Sequence, residues 1–345
     1  MTDLWQHLKE TDKPIALYGT GNGADKIIAR MEQDGSFDKV KGIFASSGFV
    51  RDRYFHEIKV ESYEAVKERL GDMIVLLCFG SSLPEVMEYA GRIASENEFY
   101  APAVPVYGDE IFDMAYYEKH LDKIEEACSL MADNLSVTTF RNTVSYFLTG
   151  DIKYLQECET TEDEEFDLTP ADNIKSYLDL GAYNGDTALQ YSHIFPAISN
   201  ITAVEPDIKN YAKLVSNTED LGNVKCFNYL ISDESGITHI NLGKGRGVHE
   251  QKSGKEIESI TVDDLLAGSP VDLIKYDVEG NEFKALTGSA NTIREYKPLL
   301  HIACYHKSSD IYEIPLLVKS LRKDYRIYMR HRRHLINWDT QFVCV

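Results

Sequence analysis

Between Tyr177 and Thr187 the chain reads Tyr-Leu-Asp-Leu-Gly-Ala-Tyr-Asn-Gly-Asp-Thr, and this run restricts the fold more than any other. Tyr177 to Leu180 predicts a buried strand that breaks at Gly181 into a loop, and Gly185 opens a helix. Glycine lets a backbone turn sharply and approach a ligand with no side chain between. Strand, glycine loop and helix N-terminus together make a nucleotide-type site in open α/β sheets. Asp179 and Asp186 put carboxylates where a phosphate would otherwise sit, which suits a cationic or neutral nucleoside better than a pyrophosphate. A plain strand-to-helix turn shares the local pattern, so the rest of the chain has to decide.

The same alternation recurs on both sides of this run. Pro14–Tyr18 is an apolar strand leading into Gly19-Thr-Gly-Asn-Gly-Ala24 and a helix through Ile27, Ile28 and Met31. Val40–Ala45 and Met73–Phe79 are further strands of this first series, the latter a continuous apolar run of the buried type. A second series places strands at Tyr177–Leu180, Ile201–Val204, Val224–Phe227, Leu273–Asp277 and Leu299–Tyr305. Tyr325–Met329 and Gln341–Val345 close it as an antiparallel pair. Strands alternating with helices imply parallel sheets with crossover helices. Between the two series, Leu121, Ile124, Cys128, Met131 and Leu135 recur at helical steps. Phe140, Val144 and Phe147 continue the pattern, with Ser136 as N-cap and Gly150 as the residue past the end. This stretch reads as a connector packed on a neighbouring domain, or as a homodimer surface. Glu157 to Asp167 carries seven acids in eleven residues and predicts a solvated linker or exposed turn. Gly243 to Gly254, with four glycines, two lysines and an arginine, predicts a mobile loop. The expected partition is a Rossmann-like domain over 1–110, a helical connector and acidic linker over 111–172, and a second α/β domain over 173–345.

Bulk properties narrow the function. A chain of 345 residues has room for about two domains with proper cores. A formal net charge of -20 argues against nucleic acid and anionic membranes as partners. No apolar run reaches the length of a membrane-spanning helix, and Met1–Glu10 is not a secretory signal, so membrane insertion is not expected. The six cysteines are scattered without metal-ligand spacing, which suits small buried hydrophobes in a reducing cytoplasm.

Four landmarks of the second series fall at successive strand ends: Gly181–Thr187, Glu205-Pro-Asp207, Asn228–Ile231 and Asp277-Val-Glu-Gly280. Ligands in open α/β sheets bind outside these ends. An acid such as Glu205 after the second strand has the chemistry to accept both hydroxyls of a ribose; its plainer reading is a helix cap before Pro206. Together, Asp179–Thr187, Val204-Glu-Pro-Asp207, Ile274-Lys-Tyr-Asp-Val-Glu-Gly-Asn-Glu282, Cys304-Tyr-His-Lys307 and Arg330-His331 resemble the FkbM-type family of S-adenosylmethionine-dependent methyltransferases. The likeness covers 174–345 and takes in the leader Tyr146–Asp151. Tyr183 stands where the broader class I methyltransferase loop has its middle glycine.

The resemblance implies a class I methyltransferase sheet, mostly parallel with an antiparallel C-terminal strand, preceded by the smaller Rossmann-like domain and the helical connector. It implies S-adenosylmethionine as cofactor. Asp179, Gly181, Ala182, Tyr183, Asn184, Gly185, Asp186 and Thr187 would wrap its methionine and ribose, and Glu205, with Pro206 behind it, would hold the ribose hydroxyls. Asn228 and Asp233 would face adenine, and Asp277 the methionine amino group or the acceptor. The acceptor implied is a hydroxyl on a sugar, glycan or other small metabolite. A hydroxyl acceptor benefits from a general base: His306, just past the fifth strand, leads, with Asp277 and Glu279 beside it. Glu279, Asp277 and His306 have ligand chemistry for Mg²⁺ or Mn²⁺, but nothing in their spacing demands a metal and none is expected. His301, five residues earlier, reads as structural.

Two further features compete. Arg330-His-Arg-Arg-His334 is either an anion site or, as charge runs usually are, an exposed hairpin neutralising nearby acids. Gly19–Ala24 matches the G-x-G-x-x-A dinucleotide variant, yet the next strand ends in Ala45-Ser-Ser47 with no acid for a ribose. Ser46, Ser47, Arg51 and Arg53 offer partners for a 2′-phosphate. Two alternatives to methyl transfer therefore stand: an NADP-dependent oxidoreductase using that loop, and a non-catalytic nucleotide or nucleotide-sugar binding protein.

Overall fold

The computed structural model describes residues 3–46, 53–169, 173–242, 248–251 and 255–345. Two compact units result. The first comprises Met1–Leu121, Thr138–Glu159 and His331–Asp339, and the second Asp122–Val137, Thr160–Arg330 and Thr340–Val345.

The first unit is built on a six-stranded sheet ordered Tyr54–Phe55, Ile58–Glu61, Val40–Phe44, Ile15–Tyr18, Ile74–Leu77, Glu98–Tyr100. All pairs are parallel except the short outer one between Tyr54–Phe55 and Ile58–Glu61. The two central strands, Ile15–Tyr18 and Ile74–Leu77, are buried at every position, which is why they read as unbroken apolar runs. The expected glycine loop follows the first of them. An added Cβ on Gly23 would come within 2.3 Å of the Cys78 carbonyl oxygen, so glycine here lets helix Asn22–Asp34 pack close to the neighbouring strand end.

The second unit carries an eight-stranded sheet. Its order is Val224–Phe227, Asn200–Val204, Ser176–Leu180, Leu273–Tyr276, Leu299–Ala303, Thr340–Cys344, Ile327–Arg332, Glu159–Thr160. The first five strands are parallel, and Thr340–Cys344 runs antiparallel to Leu299–Ala303. Arg326 and Val345 exchange reciprocal backbone hydrogen bonds, as in an antiparallel pair. A small second sheet, Leu230–Ile231, Lys255–Ile260, Gly236–Leu242, Val248–Gln251, has no counterpart in the sequence reading.

Four local expectations are corrected. The acidic run is not a linker: Glu159–Thr160 is the sheet's edge strand and Glu162–Phe166 a helix closed by a Thr161/Glu164 capping box. Its acids suit the first turn of a helix, and Glu165 is fully buried, receiving a hydrogen bond from Gln341. Part of the supposed mobile loop, Val248–Gln251, is a strand paired with Gly236–Leu242; the rest, 243–247 and 252–254, lies outside the described residues. Ser136 is not the cap of helix Asn134–Thr149. Asp133 is, since its Oδ1 accepts from the backbone N–H and the hydroxyl of Ser136. Lastly, Arg330, His331 and His334 are buried rather than spread on an exposed hairpin. Arg330 donates to Asp133 Oδ2 at 2.7 Å, and burial lowers the pKa of His331 to about 3. Gly150, at φ 65°, is the C-terminal glycine expected.

Candidate active site

The geometry starts from Gly181, at φ 83°. An ideal Cβ there would lie 1.8 Å from the Asp277 carbonyl oxygen, so no residue with a side chain fits between these two strand ends. Gly181 and Ala182 both donate backbone N–H groups to the Val204 carbonyl at 3.0 Å. Tyr183 takes φ 46°, and Gly185 at φ 87° forms the N-cap of helix Asp186–Ile194. A Cβ on Gly185 would meet Thr218 Cγ2 at 2.8 Å. The two glycines thus fold the loop tightly. Asn184 and Asp186 sit at the helix entry, with Asn184 Oδ1 accepting from the Asp186 N–H and Asp186 Oδ1 from the Thr187 N–H.

Asp179 pairs in register between Lys275 and Ala203 and is fully buried. Neither of its carboxylate oxygens has a hydrogen-bond partner. The nearest cation, Lys275 Nζ, stands 3.7 Å from Oδ1. Burial raises the Asp179 pKa to about 6, with Lys275 pulling it back. Lys275 lies 3.2 Å from Asp277 Oδ2 as well. Burial alone would lower its pKa, but Asp277 and Asp179 outweigh that and hold it protonated.

Glu205 is buried at the end of the next strand. Its Oε2 accepts from the Tyr183 N–H at 2.9 Å and its Oε1 from the Asp207 N–H at 2.8 Å. The helix cap is instead Asp207, which accepts from Lys209 and Asn210. Glu205 is therefore tied to the glycine loop and keeps free lone pairs on both oxygens. Burial lifts its pKa to about 7, offset in part by the two N–H groups. Asn228 is spent differently: its amide donates to the carbonyls of Glu205 and Pro206 at 2.8 and 2.9 Å, buttressing that strand end. Asp233 contacts Ser232 and Lys284, and no described contact links it to the other predicted residues.

The structure brings His306, Asp277 and Glu279 together. His306 Nε2 lies 3.6 Å from both Asp277 Oδ1 and Glu279 Oε2. Sequence reasoning quoted Glu282 only as part of a motif and gave it no role. It is fully buried, with Oε1 accepting from the Val278 and Gly280 N–H groups and lying 2.9 Å from His306 Nδ1. That last contact is an ion pair that falls short of hydrogen-bond geometry. Burial would lower the His306 pKa, but Glu282, Glu279 and Asp277 reverse this and raise it to about 10. Asp277 also accepts from the Tyr305 hydroxyl at 3.3 Å. Burial raises it, yet Lys275 and His306 win and hold it low. For Glu279 burial wins over His306 and the pKa goes up. Asp310, likewise unassigned, is buried nearby, and burial with Glu282 raises it. A signal for Lys275 existed: a lysine inside an apolar strand demands a buried acid. His301 is structural, bonded to Thr169 and Tyr191 at 3.0 and 2.9 Å.

In the first unit Tyr18 and Ser46 hydroxyls share a 2.6 Å bond and Arg53 donates to Thr20. Ser47 and Arg51 lie outside the described residues.

A mostly parallel sheet with glycine loop and acids at the ends of adjacent strands, closed by an antiparallel strand, is the class I methyltransferase fold. Residues 179–332 match the model of the methyltransferase FkbM domain. The crystal structure of methyltransferase FkbM from Methylobacillus flagellatus KT superposes with a TM-score of 0.71 at 18% identity, covering 99% of this chain and 92% of that one. Fibrillarin from Aeropyrum pernix, solved with natively bound S-adenosyl-L-methionine, is similar over 51% of this chain and 68% of its own at 14% identity and TM-score 0.34. Methanococcus jannaschii fibrillarin is similar over 56% and 74% at 13% identity and TM-score 0.35. No curated protein matches the chain.

Proposed function

We propose that the chain is a methyltransferase that takes S-adenosylmethionine as methyl donor and methylates a hydroxyl on a sugar, glycan or other small-metabolite acceptor. The observation that carries the donor half is Asp179. A fully buried carboxylate with two oxygens lacking hydrogen-bond partners costs about 1–3 kcal/mol or more, and a ligand ammonium would satisfy it. The residues at the glycine loop fit such a donor: Gly181 and Gly185 keep side chains out, and Glu205 offers free lone pairs to a ribose diol. Among the predicted residues Asn228 and Asp233 support this least directly, the first holding a strand end and the second a surface lysine.

When bound, the donor supplies an activated methyl group, so the protein's task is alignment of the acceptor and removal of its proton. At neutral pH His306, with a pKa near 10, is an imidazolium and does not take that proton. Glu279 suits the task better. It is about a third exposed, its pKa is raised by burial, and its backbone is held at φ 54°, a strained conformation of the kind stored at functional sites. His306 then acts as the cation that keeps Asp277 and Glu279 in place.

Calorimetric titration with S-adenosylmethionine and S-adenosylhomocysteine tests the reading. Binding of both, weakened at least tenfold by Asp179→Asn, is expected. A folded protein that binds neither refutes it.

A further inference from the structure

The cluster behind Asp277 gathers four carboxylates around one imidazole: Asp277, Glu279, Glu282 and Asp310 all draw on His306. Lys275 acts on Asp277, Asp179 and Glu279, and Lys307 on Asp310. Within the cluster, one ligand atom from each of Asp277, Glu282 and His306 lies within 4.8 Å of the others, so a small inward shift of the side chains brings them within the about 4.4 Å that two bonds of about 2.2 Å to a shared small divalent ion can span. One of its atoms is orphaned in the interior: Glu282 Oε2 has no hydrogen-bond partner although the residue is fully buried. His306 Nδ1 is held by Glu282 Oε1 at 2.9 Å without hydrogen-bond geometry. A buried carboxylate oxygen without a partner, on one of three clustered ligand side chains, is an arrangement a cation completes.

We infer that Asp277, Glu282 and His306 hold a divalent cation of the Mn²⁺ or Mg²⁺ class at the acceptor side of the site. The inference rests on the methyltransferase reading for its role but not for its existence. Two carboxylates with a neutral imidazole balance the charge of one divalent ion. Oxygen ligands with one nitrogen suit Mn²⁺ and, more weakly, Mg²⁺. Binding releases the imidazole proton to solvent. Glu282 Oε1 stays on the Val278 and Gly280 N–H groups, leaving Oε2 for the ion. An ion here polarises an acceptor hydroxyl and makes its proton easier for Glu279 to remove.

The test uses the full chain, stripped with a chelator and then titrated with Mn²⁺, read by calorimetry and by the loss of the free-ion electron paramagnetic resonance signal. One ion per chain is expected. Glu282→Gln and Asp277→Asn should each weaken it at least tenfold, each variant being first shown folded by circular dichroism. Asp277 is about a third exposed, so its variant keeps the test decisive should Glu282→Gln fail to fold. No binding by the wild type, or binding that the folded variants leave unchanged, overturns the inference. S-adenosylmethionine titrated into chelated protein separates the two claims: donor binding without Mn²⁺ binding removes the ion and leaves the methyltransferase reading intact.

Discussion

Substituting His306 by Gln removes a cation that faces both Glu282 and Glu279, and the structure sets the size of the effect. The imidazole moves from its ordinary 6.5 to about 10 on folding. At about 1.4 kcal/mol per pH unit, that gap gives a ceiling of about 5 kcal/mol. The measurable value is smaller. Once the imidazole is gone, Glu279 and Asp310 take up protons more readily and relieve part of the repulsion. Removing one partner of a buried ion pair costs about 3–5 kcal/mol, so a loss of about 3 kcal/mol near pH 6 is expected. The sign follows from the direction of the shift. A histidine raised on folding contributes fully below pH 6.5, and that contribution fades as pH rises towards 10. The assay is urea unfolding of chelated wild type and His306→Gln at several pH values from 6 to 9.5. The stability gap should be widest at pH 6 and shrink steadily. A gap under about 1 kcal/mol at pH 6, or one that does not change with pH, refutes the buried imidazolium.

Other expectations follow from neighbouring residues. Gly181→Ala forces a side chain onto the Asp277 carbonyl at a positive φ; the left-handed backbone alone costs about 1–2 kcal/mol. Urea unfolding should show a loss of at least about 2 kcal/mol, and calorimetry no donor binding. Glu205→Gln removes a carboxyl that burial raises to about 7. A carboxyl raised on folding weakens the protein as pH climbs from its ordinary 4.5 through 7. Without ligand the variant should therefore gain on wild type across that window, by at most about 3 kcal/mol, while its S-adenosylmethionine affinity falls about tenfold or more. Lys275→Met strands Asp179 and Asp277 without their cation, and a destabilisation of about 3 kcal/mol is expected in the same unfolding assay.

Much of the catalytic sheet could be read from the chain because its strands are buried on both faces. Such strands announce themselves as short apolar runs, and the glycine loops and acids at their ends stand out against them. The closing antiparallel pair was legible for the same reason. What escaped were features whose signal is not periodic. The small sheet around Gly236–Leu242 mixes polar and apolar residues without strict alternation, so no pattern marks it. The acidic run looked like a linker because charge dominated its composition, yet four of its acids occupy the first turn of a capped helix. The basic cluster misled for the opposite reason. Arg330 is buried because Asp133, 197 residues away in sequence, meets it, and pairing over that range leaves no local trace. At the site, His306, Asp277 and Glu279 were found as neighbours. The protonation of His306 was not, since it depends on Glu282, which no spacing argument singles out.

The central claim is that the loop from Asp179 to Thr187, with Glu205, forms a site for a sulfonium nucleoside. Isothermal titration of the full chain with S-adenosylmethionine at pH 7.5, repeated with folded Asp179→Asn, tests it most directly. The account predicts saturable one-to-one binding that weakens at least tenfold in the variant. Absence of binding by the folded wild type, or equal affinity in both proteins, would contradict it.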